Sequence, residues 1–131
     1  MKKIVNFINE KLVINKNTKI NKYHYHPKDK DELKELVLKL IKERGNEADL
    51  NDIDTSEITD MSRLFFSSNF NGDISEWDVS NVDTMGWMFR NSKFTGENGD
   101  ISKWDVSNVV NMKFIFYKCP LEKNPPKWYK E

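Results

Sequence analysis

Aspartate recurs at two fixed positions in the middle of the chain, and grouped carboxylates can do acid–base chemistry or bind calcium. The two series are Asp49, Asp73, Asp100 and Asp54, Asp78, Asp105. Because each aspartate stands beside a turn and returns in every unit, the pattern favours capping of backbone amides over a single active site. The spacing also departs from that of a calcium-binding loop. We therefore predict no catalytic residue, and an enzyme such as a hydrolase is the disfavoured alternative.

Two further places carry residues that could bind metal or attack a substrate. His24 and His26 would project to the same side of an extended segment, but zinc needs three or four ligands and no third lies nearby in sequence. We predict a surface or interface role for both histidines. Cys119, the one cysteine, shares its repeat position with Ser68 and Ser92, which predicts a small buried side chain. The sequence thus predicts no metal site and no cofactor.

The strongest candidate site alternates arginine with aromatic residues. Positions 15 and 18 of each repeat unit are one turn apart on a predicted short helix, pointing away from its apolar stripe. The predicted partner-binding residues are Arg63, Phe66, Trp87, Arg90, Phe114 and Tyr117. Arginine and large aromatic residues are enriched at the energetic centres of protein interfaces. The alternative is that the rings pack between adjacent helices and cover the flank of the fold.

An internal repeat must position these residues. Units of 24 residues cover 49–72 and 73–96, and after an insertion at 97–99 a third unit covers 100–121. Position 5 is Ile53, Trp77 and Trp104, and position 17 is phenylalanine in all three units. A period in the range of about 20–29 residues is typical of strand-plus-helix repeats. One unit cannot bury its apolar face alone, so neighbouring units are expected to stack.

Each unit is predicted to hold one strand and one short helix. β-Branched and aromatic residues in 74–79, after a Gly-Asp turn, indicate the strand. The apolar spacing of Val82, Met85, Met88 and Phe89 after Ser80 indicates the helix. The predicted fold class is therefore α/β, a short solenoid of repeated strand–helix units.

Both ends of the repeats carry predicted caps. A helix should begin after Asp29, which forms a capping pair with Glu32, and end at Gly45. At the other end Trp128 repeats the tryptophan position, while prolines at 125–126 would prevent another strand from pairing. The predicted organisation is a basic leader and capping helix over 1–48, three repeats over 49–121 and a C-terminal cap over 122–131. Residues 4–14 are predicted as a short helix or strand, and 15–23 as a connector.

The segments Gly72–Val82, GDISEWDVSNV, and Gly99–Val109, GDISKWDVSNV, resemble the BspA-like leucine-rich-repeat family. That family is also met as a domain of unknown function in mycoplasma surface proteins. The resemblance extends over residues 49–128. It implies a right-handed leucine-rich-repeat-like solenoid that makes protein contacts, with no catalytic residues to carry over.

Composition narrows the classes of function. The 131 residues suit one domain, and 21 basic residues balance 21 acidic residues, which disfavours a general nucleic-acid binder. The sequence shows neither a signal peptide nor an apolar stretch long enough to span a bilayer, so we predict no membrane insertion and a cytoplasmic location, with the cell surface as the alternative that the family implies. Residues 1–48 hold 12 basic against 7 acidic residues, whereas residues 49–121 hold 6 against 12. The two parts could attract each other, or the acidic repeats could dock on a basic partner.

Together these features predict a non-enzymatic module that binds a protein partner of unknown identity through a rigid repeat surface. One alternative is a phage or mobile-element inhibitor that occludes a basic site on a host or defence enzyme. A second is a bacterial surface adhesion repeat. The oligomeric state is left open.

Overall fold

The computed structural model describes residues 22–130, and regular helix in that range is limited to two elements. Helix α1 spans Lys30–Arg44, and a 3₁₀ turn spans Pro120–Glu122. Between them the backbone runs through consecutive tight turns that are hydrogen-bonded to one another. The segment predicted at 4–14, and most of the connector predicted at 15–23, lie outside the described residues.

Helix α1 begins and ends where the sequence predicts. The Asp29 carboxylate accepts a hydrogen bond from the Glu32 amide at 2.9 Å, and the Glu32 carboxylate accepts one from the Lys28 amide at 2.9 Å. Gly45, with φ of 97°, ends the helix and donates its amide to the Ile41 carbonyl at 2.7 Å. The buried face of α1 consists of Leu33, Val37 and Leu40. The predicted capping helix is confirmed.

The predicted fold class is wrong. Within residues 22–130 there is no strand or sheet, and the repeat units contain no α-helix. Parallel backbone pairing is confined to isolated pairs, which are Tyr25 with Ile53, Asp49 with Asp73, Asp60 with Thr84, and Thr84 with Asn111. The chain is therefore neither an α/β fold nor the leucine-rich-repeat-like solenoid of strands and short helices that the resemblance implied.

The hydrogen bonds explain why the predicted repeat helices do not form. In the first unit, alternate amides donate to the carbonyl three residues back, at 3.1–3.3 Å, which closes a tight turn each time; the donors are Leu64, Phe66 and Ser68. The amides between them donate instead to carbonyls of the second unit, at 2.8–3.1 Å; these donors are Met61, Arg63, Phe65 and Ser67. An α-helix would need every amide to bond four residues back along its own segment.

We call these outward-pointing donors the ladder amides. The second unit repeats them at Met85, Trp87, Phe89 and Asn91, whose amides donate to carbonyls of the third unit at 2.8–3.0 Å. Each unit thus donates to the unit that follows it. The units are joined by a ladder in which these bonds all run in one direction.

Aromatic side chains stack along the same direction. The indole N–H groups of Trp77, Trp104 and Trp128 donate to the carbonyls of Leu50, Ile74 and Ile101, at 3.0, 3.2 and 2.9 Å. The Phe89 ring lies between those of Phe65 and Phe116, with centroids 5.5 and 5.8 Å away. Phe65 and Phe89 are buried, as is Trp77. The predicted alignment of the three tryptophans in successive units is confirmed.

The repeated aspartates cap turns, as predicted. Asp73 accepts a hydrogen bond from the Ser75 amide at 2.9 Å, and Asp78 accepts one from the Ser80 amide at 3.0 Å. The same bond recurs at Asp49, Asp54, Asp100 and Asp105, always to the amide two residues on. These carboxylates therefore hold the corners of the repeat units.

Helix α1 and the segment 22–26 cover the first unit. Lys30 Nζ donates to Ser62 Oγ at 3.0 Å, and Lys34 Nζ donates to the Leu64 carbonyl at 2.7 Å. Beside them the His24 amide donates to the Asp52 carbonyl at 2.9 Å, and the Asp54 amide donates to the Tyr25 carbonyl at 2.8 Å. Burial at this contact lowers the pKa of Lys34, with the nearby charge of Lys30 acting in the same direction.

Candidate protein-interaction surface

Three of the six predicted partner-binding residues adopt a left-handed backbone. Arg63, Trp87 and Phe114 have φ of 58°, 62° and 56°, and they occupy the same position in the three units. Each is the third residue of a tight turn, the place where positive φ favours glycine or asparagine. For residues with a Cβ this conformation costs roughly 1–2 kcal/mol. The repeats therefore hold a large side chain where glycine would be less strained.

All six residues meet on one surface, which we call the aromatic face: Arg63, Phe66, Trp87, Arg90, Phe114 and Tyr117. The Trp87 ring lies at its centre, with centroid distances of 6.4 Å to Phe66 and 6.0 Å to Phe114. The guanidinium carbons of Arg63 and Arg90 lie 4.4 and 4.8 Å from the Trp87 ring centroid. Such distances suit cation–π contacts, which fix both arginine side chains against the rings.

The aromatic face stays open to solvent although its rings touch one another. Phe66, Phe114 and Tyr117 are 39%, 44% and 37% exposed. Neither Arg63 nor Arg90 forms an ion pair with any residue in 22–130. The surface thus combines exposed rings with two cations whose charge is left uncompensated by the described part of the chain.

A hollow of about 290 Å³ lies within this face. Its lining consists of Trp87, Arg90, Phe114 and Tyr117. Arg90 closes one side, where its guanidinium carbon lies 5.3 Å from the Tyr117 ring centroid. A hollow lined by three rings and one guanidinium can take an apolar side chain and hold a carboxylate beside it.

Sequence reasoning grouped these six residues but placed them on the wrong element. They lie on tight turns rather than on the outer faces of repeat helices. The Trp87 ring contacts Phe66 and Phe114 of the adjacent units, as expected if the rings cover the flank of the fold. Phe66, Phe114 and Tyr117 are also exposed to solvent, as a binding surface requires. Sequence reasoning missed the surroundings of Met112 and Tyr129, where the third unit ends. The signal was present, because the repeat pattern is not continued by residues 122–130, which would otherwise supply acceptors for the ladder amides of residues 112–116.

The histidines near the start of the described chain pair with aspartates of the first unit. His24 Nδ1 lies 2.9 Å from Asp52 Oδ2, and His26 Nδ1 lies 3.4 Å from Asp54 Oδ2. Asp52 also receives two bonds from the Arg44 guanidinium, at 2.9 and 3.0 Å. Hydrogen bonding from Arg44 lowers the pKa of Asp52 to about 2, with partial burial opposing the shift and His24 adding to it.

These contacts give the histidines an interface role, as predicted, because they hold the segment 22–26 against the first unit. Within residues 22–130 no group of three or more His, Cys, Asp or Glu side chains is placed to hold a metal ion.

Cys119 is buried, in agreement with its prediction as a small core residue. Its thiol donates to the Phe94 carbonyl at 3.2 Å, and its sulfur accepts from the Ser92 hydroxyl at 3.6 Å. Burial raises the pKa of the thiol. A thiol with a raised pKa is a poor nucleophile at neutral pH, because the thiolate is the reactive form.

Basic residues before the repeats contact acidic residues within them. Besides Arg44 with Asp52, Lys22 Nζ lies 3.1 Å from a Glu76 carboxylate oxygen, and Lys30 Nζ lies 3.7 Å from one of Asp60. Part of the basic charge before the repeats is thus paired with acidic charge in the repeats, which agrees with the interpretation that the two parts attract each other.

Across residues 22–130 we find no helix with the length and apolarity that crossing a bilayer requires.

Comparison with protein families gives one match. The family described as "Mycoplasma protein of unknown function, DUF285" matches residues 33–130, from within α1 to Lys130. Searches of curated proteins and of solved structures each found no match. The predicted likeness to a mycoplasma domain of unknown function is confirmed, whereas the BspA-like leucine-rich-repeat identity is not shown. The chain belongs to the DUF285 family of Mycoplasma proteins of unknown function.

Proposed function

We propose that this chain is a non-enzymatic module that binds a protein partner through the aromatic face. The observation that carries the proposal is the 290 Å³ hollow between Trp87, Arg90, Phe114 and Tyr117, flanked by arginines without an ion pair in the described chain. Hot spots of protein interfaces combine these residue types in partly closed pockets. The repeated aspartates are engaged in capping turns, which leaves them less suited to acid–base work.

The geometry favours a partner that presents an apolar side chain next to a carboxylate. The apolar group would enter the hollow, and the carboxylate would pair with Arg63 or Arg90. A guanidinium stacked on a ring keeps its N–H edge available for a bidentate bond to carboxylate. Because both arginines already lie against the Trp87 ring, binding would order them further at little entropic cost.

The side chains at two left-handed positions support the same proposal. Positive φ recurs at the third residue of each tight turn, including Ser67 and Asn91 outside the aromatic face, so it belongs to the turn itself. Glycine would relieve it at Trp87 and Phe114, yet both positions carry large rings that are at least partly exposed. Large exposed rings at positions that suit glycine are explained by binding rather than by stability.

A paired set of glycine variants tests the proposal. Trp87→Gly/Phe114→Gly removes two rings and fits the left-handed backbone, so we expect a folded protein whose thermal midpoint changes little. Ser67→Gly is the matched control, since Ser67 has φ of 56° and lies outside the aromatic face. Each protein is immobilised and used to capture partners from native host lysate, followed by affinity measurement for the captured protein. We expect the double variant to lose at least about tenfold in affinity. A partner held equally by all three proteins would refute the aromatic face as its site.

Two narrower functions stay as proposals. The adhesion role predicts that the chain is found at the cell surface, and fractionation of the host separates it from the cytoplasmic location that the sequence predicted. The inhibitor role predicts binding to a basic enzyme site that weakens steeply with salt. Salt-insensitive capture of the partner would argue against the inhibitor. Descent from BspA-like repeats is a proposal about the repeat sequences and carries no claim about the fold.

A further inference from the structure

The third repeat unit ends the ladder with donors that lack acceptors. Its ladder amides are those of Met112, Phe114, Phe116 and Lys118, which match Met85, Trp87, Phe89 and Asn91 of the second unit. The Lys118 amide donates to the Glu122 carboxylate at 3.3 Å. The other three amides have no hydrogen-bond acceptor anywhere in residues 22–130, although their counterparts in both earlier units are bonded.

An apolar groove of about 1010 Å³ lies beside these amides. Its walls include Val110, Met112, Phe114, Trp128 and Tyr129. Val110 is 88% exposed, the largest exposed fraction among the large apolar residues described. Phe116, in contrast, is only 2% exposed, so its unbonded amide lies in a nearly buried residue. Buried amides without an acceptor are rare in native proteins because each costs the free energy of a lost hydrogen bond.

The direction of the ladder restricts what can occupy the groove. The ladder positions of the third unit point only donors outward, because their carbonyl neighbours face the second unit. A second copy presenting the same edge would oppose donor to donor. A copy presenting its first unit would offer acceptors, but Lys30 and Lys34 already cover that end. The occupant must therefore offer a row of free backbone carbonyls.

Charged residues around the groove indicate which side chains its occupant carries. Lys113 and Lys130 line the groove, and Glu122 is the one acidic residue among its lining. Lys113 and Lys118 stand over the rings of Phe114 and Tyr117, with Nζ to centroid distances of 5.6 Å each. Neither of these two lysines forms an ion pair with a described residue. An occupant with acidic side chains is favoured at such a rim.

We propose that the end groove binds an extended acidic–apolar peptide segment, whose alternate carbonyls accept the amides of Met112, Phe114 and Phe116. This is recognition by backbone addition, in which main-chain bonds give affinity and alternate side chains fill apolar space. The peptide would take the place of a fourth unit in the ladder. The groove and the aromatic face share Phe114 and Tyr117, but Trp87 and Arg90 do not line the groove. The groove is therefore a second binding site beside the one proposed above.

Amide chemical shifts test the proposal directly. The full chain, labelled with ¹⁵N, is titrated with an acetylated hexapeptide of alternating glutamate and valine. We expect the amide protons of Met112, Phe114 and Phe116 to move downfield, since each gains an acceptor. A hexapeptide of alternating lysine and valine is the control and should move them far less. Absent shifts, or equal shifts with the lysine peptide, overturn the proposal.

Amide-to-ester substitution isolates the donors. Replacing Phe116 by phenyllactic acid deletes its N–H and keeps its ring. We expect a folded protein with slightly lower stability, because the ester weakens the Ile115 carbonyl that accepts the Phe89 amide. We expect roughly fivefold weaker binding of the glutamate–valine peptide. The same replacement at Phe89 removes a ladder bond that is made in the free protein, so it should lower stability. Unweakened binding by the Phe116 ester overturns the proposal.

Two other occupants are distinguishable in the same spectra. Shifts of the three amides on dilution without peptide would assign the groove to a second copy. Shifts on deletion of residues 2–21 would assign it to the chain's own N-terminal segment. Either result overturns the peptide proposal. The Trp87→Gly variant keeps every residue that lines the groove, so retained hexapeptide binding with lost partner capture would separate the two sites.

Discussion

The two ends of the repeat stack differ in chemistry, although the units between them are nearly alike. At the first unit, acceptor oxygens face outward, and α1 covers them, with Lys34 donating to the Leu64 carbonyl and Lys30 donating to the Ser62 hydroxyl. At the third unit, amides face outward, and the Glu122 carboxylate meets the one on Lys118. A one-directional ladder leaves acceptors at one end and donors at the other. The first end therefore needs a cap that supplies hydrogen-bond donors, and the other end needs a cap that supplies acceptors. In the described chain α1 caps the first end with two lysines, whereas Glu122 supplies an acceptor for one ladder amide of the third unit.

The largest effect should come from removing the apolar anchor of the covered end. Leu33 is fully buried on α1, so Leu33→Ala should lower the free energy of unfolding by about 2–5 kcal/mol. Leu38, on the same helix, is 57% exposed, and Leu38→Ala should cost little. Urea denaturation followed by tryptophan fluorescence measures both. Equal losses would mean that α1 does not anchor the first unit through its buried face.

Tryptophan-to-phenylalanine changes compare the interior of the stack with its open end. Trp77 is buried and its N–H donates to the Leu50 carbonyl, which also accepts the Ile53 amide. Trp77→Phe should therefore cost about 1–3 kcal/mol by removing one of these two bonds and part of a buried ring. Trp128 is half-buried and water can replace its bond to the Ile101 carbonyl, so Trp128→Phe should cost about 0.5–1.5 kcal/mol. Thermal unfolding by circular dichroism gives both values. A loss of stability for Trp128→Phe equal to or larger than that for Trp77→Phe would show that the C-terminal end is as tightly packed as the interior.

The smallest expected effect is an acid-dependent loss at the covered end. The pKa of Asp52 is lowered from 3.8 to about 2, so its pairing stabilises the fold above pH 3.8 and is lost as pH falls towards 2. We expect about 1 kcal/mol, because water still screens the pair. Unfolding midpoints in urea between pH 6 and pH 2, for wild type and Asp52→Asn, measure it. If the unfolding midpoint of Asp52→Asn falls between pH 6 and pH 2 by as much as that of the wild type, Asp52 is not the source of the acid-dependent loss.

Local signals in the sequence were sufficient for some features. Asp29, Glu32 and Gly45 fix the bounds of α1 through bonds to near neighbours, so a pattern of residue types could predict them. The tryptophan column and the aspartate caps followed from the repeat in the same way. Grouping the aromatic face needed only the knowledge that equivalent positions in stacked units lie close together.

The conformation of the repeats depended on contacts that no local pattern reveals. The spacing of Val82, Met85 and Met88 fits a helix, but it fits consecutive turns equally well. The choice is made by the neighbouring unit, whose carbonyls accept every second amide. The left-handed backbone at Trp87 and Phe114 could not be predicted either, because positive φ is ordinarily adopted by glycine.

The insertion at 97–99 shows where the molecule tolerates extra length. Asn98 donates its side-chain amide to the Asn71 carbonyl at 2.7 Å, and the ladder bonds from the second to the third unit still form. The pairing of Asp49 with Asp73 does not recur between Asp73 and Asp100, so the effect of the insertion is confined to the start of the third unit. Gly99 must stay small, because a Cβ there would come within 2.2 Å of an Asp73 carboxylate oxygen. Glu97 and Asn98 are exposed, so a foreign epitope or a fluorescent tag is best inserted at the peptide bond between them.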